Sequence, residues 1–164
     1  MHIANTGNAT VSVEHRRGEY SISTDPGRIE LDVVYEFLTN CYWAKGIPRD
    51  VVARSIEHSL CFGIYDGSGT QVGFARVISD FATIAYLGDM FVLESHRGRG
   101  LSKWMMECIL QPPALQGLRR WILLKRDAHS SIRILVLRRW NRPSGTWSCI
   151  GLMYTNSGKH YDKF

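Results

Sequence analysis

The sequence predicts a single α/β (α+β) domain with a mixed central sheet of about five to seven strands, flanked by helices and ending in irregular or replaced strands. A length of 164 residues suits one domain. The hydrophobic content of 45% is enough to build a core. Apolar residues also change period along the chain, in the order strand, two helices, antiparallel strands, then strand, loop, helix and strand.

The N-terminal third predicts one strand and two helices. Residues 1–19 show no period, and we expect a flexible end. Residues 20–24 alternate as in a strand and stop at a turn of Asp, Pro and Gly. Residues 29–43 have amphipathic helical spacing, and a second helix is predicted from Pro48 to about residue 60, because proline is tolerated in a first helical turn.

The middle of the chain predicts three neighbouring strands. Residues 60–65 and 71–78 form a hairpin around the turn sequence Asp-Gly-Ser-Gly. Residues 82–93 are almost wholly apolar, as expected of a strand at the centre of a sheet. A polar loop, a helix over 101–110 and a strand over 121–124 follow.

Composition excludes several classes of protein. No apolar stretch approaches the ~18 residues of a membrane span, and the first ten residues lack the apolar run of a signal peptide. The cysteines have neither CxxC pairing nor a matching His spacing, which argues against a metal site or a disulfide framework and favours the cytoplasm. They are Cys41, Cys61, Cys108 and Cys149.

The net charge of +5 is unevenly distributed. Basic and acidic residues balance over 1–129, so residues 130–164 supply the whole surplus. The sequence therefore divides into a flexible segment 1–19, a domain 20–129 and a divergent basic segment 130–164. The high isoelectric point alone does not indicate a nucleic-acid partner, since the surplus is confined to that last segment.

The most informative motif is a buried strand that runs into a loop with two glycines, which opens directly onto a helix. Gly98 and Gly100 allow the backbone to approach a ligand closely, and loop amides at a helix start can hold phosphate oxygens. Arg97 and Arg99 can add charge-assisted bonds. A surface turn with two arginines is the plainer interpretation, but the flanking strand and helix favour a phosphate site.

At this point the sequence resembles the GNAT superfamily of N-acetyltransferases, in a bacterial branch. The family signature [R/Q]-x-x-G-x-[G/A] is matched by Arg97-x-x-Gly100-x-Ser102, with serine as a small departure. The resemblance extends from about residue 20 to residue 129. It is carried by an ordered set of motifs: Tyr42-Trp43-Ala44, Cys61-Phe62-Gly63, Val72-Gly73-Phe74-Ala75-Arg76, Asp89-x-Phe91-Val92 and Arg126-Asp127-Ala128-His129.

The resemblance implies that acetyl-CoA is bound and its acetyl group passed directly to an amine, without a metal. The backbone at Phe91 and Val92 would pair with the pantetheine arm. The pyrophosphate would be held by Arg97, Gly98, Arg99, Gly100, Leu101 and Ser102.

Direct transfer needs a base, and Asp89 is the candidate because it is a carboxylate within an apolar strand. The alternative is a structural partner for Arg76 or Lys125. Tyr42 and Trp43 are candidates for lining the amine pocket, although aromatics of an amphipathic helix more often enter a core.

The family pattern breaks after His129. The branch continues with x-Leu-Tyr-x-x-Phe-Gly-Phe, whose tyrosine is the usual general acid, whereas here the first tyrosine after His129 is Tyr154. A gene for His-Ser-Leu-Tyr-Gln-Asn-Phe-Gly-Phe-Thr-Pro-Leu-Glu that loses one C from its third codon encodes the observed residues from His129 to Trp140. We therefore hypothesise a one-base frameshift near Ser131.

Three functions follow as alternatives. The first is an N-acetyltransferase acting on a primary amine of a small molecule or peptide. The second is a catalytically impaired acetyl-CoA-binding remnant, because the tyrosine acid is missing. The third and weakest is a nucleic-acid-binding module that uses the basic tail with Trp140 and Trp147. A membrane partner is not expected, whereas an unfinished sheet edge is compatible with a homodimer.

Overall fold

The computed structural model describes residues 12–126, 132–139 and 147–155. Over these residues the chain forms one mixed sheet of eight strands in sequential order. The strands are β1 (Glu14–Arg17), β2 (Tyr20–Ser23), β3 (Leu60–Tyr65), β4 (Gln71–Ser79), β5 (Ile84–Val92), β6 (Arg120–Arg126), β7 (Ile132–Arg139) and β8 (Trp147–Thr155). The α-helices are α1 (Leu31–Asn40), α2 (Arg49–Glu57) and α3 (Leu101–Ile109).

The sheet is antiparallel except between β5 and β6, which pair in parallel. Parallel neighbours need a crossover connection, and α3 provides it. The β3–β4 hairpin closes as its sequence predicts: the Asp66 carboxylate accepts the amides of Ser68 and Thr70 at 2.9 and 3.1 Å.

Helices cover both faces of the sheet. The apolar side chains between the helices and the sheet form two buried clusters. One cluster joins α3, through Met105 and Ile109, to Phe62 on β3. The other joins α1 and α2, through residues that include Leu38 and Val52, to sheet residues Cys61, Phe74 and Phe91. The expected α/β class and mixed sheet are confirmed.

The structure differs in two details from the sequence-based expectations. The described sheet has eight strands rather than five to seven. Residues 14–17, inside the segment expected to be flexible, form β1 and pair with β2 from Glu14↔Ser23 to Arg17↔Tyr20. Backbone hydrogen bonds hold this strand, and its polar side chains carry no hydrophobic alternation that a sequence pattern could reveal.

The divergent C-terminal segment also contributes regular strands where irregular ones were expected. β6 pairs with β7 from Trp121↔Leu137 to Arg126↔Ile132, and β7 pairs with β8 with one register shift between Leu135 and Leu137. The apolar run at the start of this segment has strong strand propensity, which accounts for the pairing. The intervening residues 127–131 and 140–146 lie outside the described part of the chain.

Candidate active site

Strands β5 and β6 diverge in the middle of the sheet. Their parallel register runs from Ile84↔Arg120 to Leu87↔Leu123 and stops there. β5 nevertheless continues to Val92 and β6 to Arg126. Within the part of the chain that the structure describes, no strand pairs with this edge of β5 over residues 88–92, so its main chain is available to a ligand, as in strand addition.

A β-bulge in the pairing of β5 with β4 lies next to the point where β5 and β6 separate. Phe74 pairs with Phe91 and Arg76 with Gly88, so Ala75 alone faces both Asp89 and Met90. Asp89 has a φ of 51°, in the left-handed region that few residues other than Gly, Asn and Asp adopt. A bulge of this kind bends its strand and redirects a side chain, which places Asp89 beside the opening.

The phosphate loop, residues 97–102, leads from β5 to α3. Gly98 and Gly100 have φ values of 76° and 71°, and Gly100 is the N-cap of α3. Glycine occupies this left-handed conformation at little cost, whereas another residue is strained. Among the described residues, no acceptor engages the amides of residues 98–102, so they are available to an anion at the positive end of the helix dipole.

A cavity of about 210 Å³ lies against this loop. Its lining combines the end of β5 with the loop and the first residues of α3: Val92, His96, Arg97, Gly98, Gly100, Leu101 and Ser102. The structure thus brings together the residues proposed for the cofactor, except that Arg99 and Phe91 do not line the cavity. Arg97 also donates from Nε to the Val92 carbonyl at 3.0 Å, which ties the loop to the end of the strand.

The N-terminal hairpin formed by β1 and β2 contacts the phosphate loop. The sequence patterns did not predict these contacts. Arg17 donates from Nη2 to the Arg99 carbonyl at 3.2 Å, and its guanidinium lies 4.8 Å from the ring centre of Trp104. Glu19 pairs with Arg99 at 3.4 Å. Tyr20 connects to His96, with 3.0 Å between the hydroxyl and Nδ1.

Asp89 contacts the first of the two partners considered for it. Its Oδ2 lies 2.5 Å from Nε of Arg76, and the side chains are only 14% and 18% exposed. The indole Nε1 of Trp43 donates to Oδ1 at 3.3 Å. Both carboxylate oxygens of Asp89 are therefore engaged, which favours the structural role over that of a free base.

Tyr42 and Trp43 lie outside the core, at 59% and 44% exposure. α1 ends at Asn40, and the amide of Cys41 bonds the Phe37 and Leu38 carbonyls, so the two aromatics follow in a turn. Their rings meet edge to face at 4.9 Å, and Trp43 lies 6.0 Å from Phe37. The structure therefore brings Trp43 to Asp89 with both rings accessible, as a substrate-lining role requires.

The cysteines near this site are held as thiols. Burial raises the pKa of Cys61 to about 12, and the positive charge of Arg76 opposes that effect only in part. Burial also raises the pKa values of Cys41 and of the Tyr86 hydroxyl. None of these groups is activated as a nucleophile, in agreement with direct transfer.

Other classes of site find no support in the described residues. They contain no cluster of three or more His, Cys, Asp or Glu side chains that could hold a metal ion. No helix among them has the length and apolar character needed to cross a membrane.

Comparison with known proteins agrees with this geometry. The family model for the acetyltransferase (GNAT) domain matches residues 57–136. A curated protein of Gibberella zeae, provisionally named an acetyltransferase, is 34% identical over 142 residues, which cover 73% of this chain and 79% of that protein.

Solved structures give the same result. A Xanthomonas campestris protein of the GNAT family, also provisionally named an acetyltransferase, is 50% identical with a TM-score of 0.65 and covers 70% of this chain and 80% of its own. A GNAT acetyltransferase of Elizabethkingia anophelis, solved with acetyl-CoA bound, shares the fold at 7% identity and a TM-score of 0.53, covering 68% of this chain and 69% of its own. The extent of these matches, together with the divergent strands and the phosphate loop, shows that this chain belongs to the GNAT family of acetyltransferases.

Proposed function

We propose that this chain transfers the acetyl group of acetyl-CoA directly to a primary amine of a small molecule or peptide. One observation carries the proposal: the part of β5 that β6 leaves unpaired is followed by a glycine loop whose residues line a cavity. A ligand that has a long amide-bearing arm and a phosphorylated end fits this arrangement, and acetyl-CoA is such a ligand. The acetyl-CoA bound to the Elizabethkingia relative of the same fold supports the choice.

The cofactor is proposed to lie along β5, with its phosphates at the loop. Amides of Gly98, Arg99, Gly100, Leu101 and Ser102 bind the pyrophosphate oxygens, with charge supplied by the arginines at 97 and 99. The main chain at Phe91 and Val92 pairs with the pantetheine amides.

The transfer replaces the thioester bond of acetyl-CoA by an amide bond to the acceptor. The amine nitrogen attacks the thioester carbonyl carbon, the C–S bond breaks, and the departing thiolate takes up a proton as the new amide loses one. An amide donor must stabilise the carbonyl oxygen as it gains charge. The open edge of β5 near the bulge offers such donors close to Trp43 and Asp89.

For Asp89 we propose a positioning role: it holds Arg76 and orients Trp43 beside the acceptor amine. General base catalysis remains the alternative role. Asp89→Asn distinguishes the two, since asparagine also tolerates a positive φ and retains an acceptor for Trp43. A positioning role predicts a loss in kcat below about tenfold, whereas loss of a general base costs about 10²–10⁴-fold and removes the corresponding limb of the pH–rate profile.

The C-terminal segment decides whether the chain turns over or only binds. The family motif expected after His129 is missing from this segment. We attribute that break to the proposed frameshift near Ser131, which makes the catalytically impaired remnant the second candidate function. The nucleotide sequence of the gene tests the frameshift: its codons after His129 must encode Leu-Tyr-x-x-Phe-Gly-Phe in the neighbouring frame.

Titration calorimetry with acetyl-CoA tests the proposal. We expect micromolar binding by this chain and its loss in the Arg97→Ala, Gly100→Ala double variant. A matched control is Gly117→Ala, which has a similar left-handed φ of 76° but lies away from the loop. A folded chain that does not bind acetyl-CoA would refute the assignment.

Turnover is then measured as release of the CoA thiol with a panel of amines, for this chain and for one whose reading frame has been restored. Acetylation by both chains supports the enzyme. Binding by both with turnover only in the restored chain supports the remnant. Steeply salt-dependent binding of oligonucleotides would instead favour the nucleic-acid module. The cytoplasmic location and a homodimer stay predictions.

A further inference from the structure

His96 is a residue of the cofactor cavity to which the sequence pattern gave no role. It ends the short 3-10 turn Glu94–His96 that precedes the phosphate loop. Its neighbours in the sequence are charged or polar, as in an exposed loop. In the structure it is half-buried and lines the cavity together with Arg97 and Gly98.

The orientation of the His96 ring is fixed by Tyr20. The Tyr20 hydroxyl lies 3.0 Å from Nδ1, and the two rings meet edge to face with 5.9 Å between centres and an interplanar angle of 89°. Tyr20 is itself only 8% exposed, so it is a rigid support. Within the described residues Nε2 has no partner, so it is the ring atom available to a ligand.

Both protonation states of this ring can donate to a ligand. In the neutral ring, Tyr20 donates to Nδ1 and Nε2 carries the proton. In the charged ring, Nδ1 donates to the Tyr20 oxygen and Nε2 still donates, now with a positive charge behind it. Tyr20 therefore presents an Nε2–H donor whose strength increases when the ring is protonated.

The cavity that the ring shares with the phosphate loop favours an anionic ligand. The unpaired amides of the phosphate loop share its cavity. The Ser68 hydroxyl, two backbone amides and, last, the charge of His96 lower the pKa of Asp66, which places this carboxylate within electrostatic reach of the ring. The charged and titratable groups around the ring are Tyr20 of β2, Asp66 of the β3–β4 turn, Glu94 of its own turn, and Arg97 and Arg99 of the loop, the last paired with Glu19.

We propose that His96 is a phosphate ligand of the cofactor, oriented by Tyr20 and donating from Nε2 to a phosphate oxygen in the cavity. The inference rests on the proposed binding of acetyl-CoA and adds to it a dependence of affinity on pH. A protonated imidazole donates a stronger, charge-assisted bond to a phosphate, so cofactor binding is tighter when the His96 ring is charged.

The test compares acetyl-CoA affinities of the wild-type chain and of His96→Ala at pH 6.0 and 8.5. We expect the substitution to weaken binding about tenfold at pH 6.0 and only about two- to threefold at pH 8.5, because the neutral ring still donates a weaker bond. The difference between the two proteins is the quantity that counts, since a phosphate monoester of the cofactor titrates in the same range. His58→Ala, at an exposed position after α2, is the matched control and should bind as the wild type does.

A ligand without phosphate separates phosphate binding from a structural effect. Acetyl-pantetheine should bind the wild type and His96→Ala equally. His96→Asn keeps a polar side chain without a titratable one and should lose the pH-dependent part of the affinity as His96→Ala does. Equal affinities for acetyl-CoA at pH 6.0, or an equal loss for acetyl-pantetheine, would overturn the inference. Failure of the wild type itself to bind acetyl-CoA at either pH would instead refute the proposed function.

Discussion

Asp89 lies in an ion pair with Arg76 at the β-bulge of β5, and the two groups, 2.5 Å apart, are largely withdrawn from solvent. The register shift between β4 and β5 brings them together. A carboxylate in this setting is stabilised by its partner and cannot lose that partner without leaving a poorly solvated charge. The pair therefore belongs to the stability of the site as well as to its shape.

We expect Asp89→Asn to lower the free energy of unfolding by about 2–3 kcal/mol, because Arg76 is left half-buried without a counter-charge. Urea denaturation at pH 7 measures the change. Asp32→Asn is the matched control, since Asp32 and Arg49 are also 2.5 Å apart but 84% and 53% exposed. That substitution should cost less than about 1 kcal/mol. Equal costs would show that burial does not determine the strength of the Asp89 pair.

Gly100→Ala tests the conformation of the phosphate loop. A Cβ at this position meets no atom closer than 3.7 Å, so the strain comes from the φ of 71° rather than from a clash. A left-handed alanine costs about 1–2 kcal/mol. The loop can relieve that strain by rotating its peptide groups away from the cavity. We expect acetyl-CoA affinity to fall at least about tenfold.

Gly117→Ala provides the comparison, because its φ is 76° and a Cβ there meets nothing within 4 Å. Both variants should lose similar stability in thermal unfolding. Only Gly100→Ala should lose affinity in calorimetry. If Gly117→Ala also weakens acetyl-CoA binding, the loss reflects general destabilisation instead of loop geometry.

Asp80 makes the β4–β5 turn sensitive to acid. Its carboxylate accepts the Thr83 hydroxyl and the amides of Thr83, Ala82 and Ile84, at 2.5 to 3.0 Å. The Thr83 hydroxyl, followed by these amides, holds the pKa of Asp80 well below its usual range. Because the folded pKa is the lower one, the stabilisation is complete above the unfolded value of about 4 and is lost as the pH falls further.

We therefore expect wild-type stability to decline between pH 5 and pH 2 more steeply than that of Asp80→Ala. Urea midpoints at several pH values measure this, and the variant should be less stable than the wild type at pH 7. Asp50→Ala removes an exposed carboxylate with one contact, to Arg54 at 3.4 Å, and should follow the wild-type profile. Parallel profiles for the wild type and Asp80→Ala would contradict the prediction.

Local patterns predicted the elements that position the site. Helical spacing located α3, and the glycines at 98 and 100 identified the loop because their left-handed backbone angles leave a direct mark on sequence. β1 left no such mark, because the polar sequence Glu-His-Arg-Arg has no hydrophobic alternation and the strand pairs with β2 through its backbone. The contacts of Arg17, Glu19 and Tyr20 with the loop were missed for the same reason.

Identifying the partner of Asp89 requires the pairing register of β4 and β5, which the sequence alone does not supply. Arg76 and Lys125 were both possible while only the strands were known. The bulge decides between neighbours by adding one residue to β5 opposite Ala75. For Trp43, periodicity pointed to a core position, but α1 ends at Asn40 and the turn places the indole at 44% exposure. A cue was available for His96, since a histidine beside a phosphate loop is a candidate anion ligand.

The reactivity of the Cys61 thiol depends on the Asp89–Arg76 pair, because Cys61 on β3 is the register partner of Arg76 on β4. Burial raises its pKa to about 12, Arg76 lowers it and Asp89 raises it. At pH 8 only about one thiol in 10⁴ is then a thiolate, the form that reacts with iodoacetamide. We expect peptide mass spectrometry to find Cys41, which is half-exposed, alkylated much faster than Cys61 in the native chain.

Asp89→Asn removes the carboxylate and leaves Arg76 uncompensated, so labelling of Cys61 should accelerate while the chain stays folded. An unchanged rate in that variant, or Cys61 labelling as fast as Cys41 in the wild type, would contradict the described environment of this thiol.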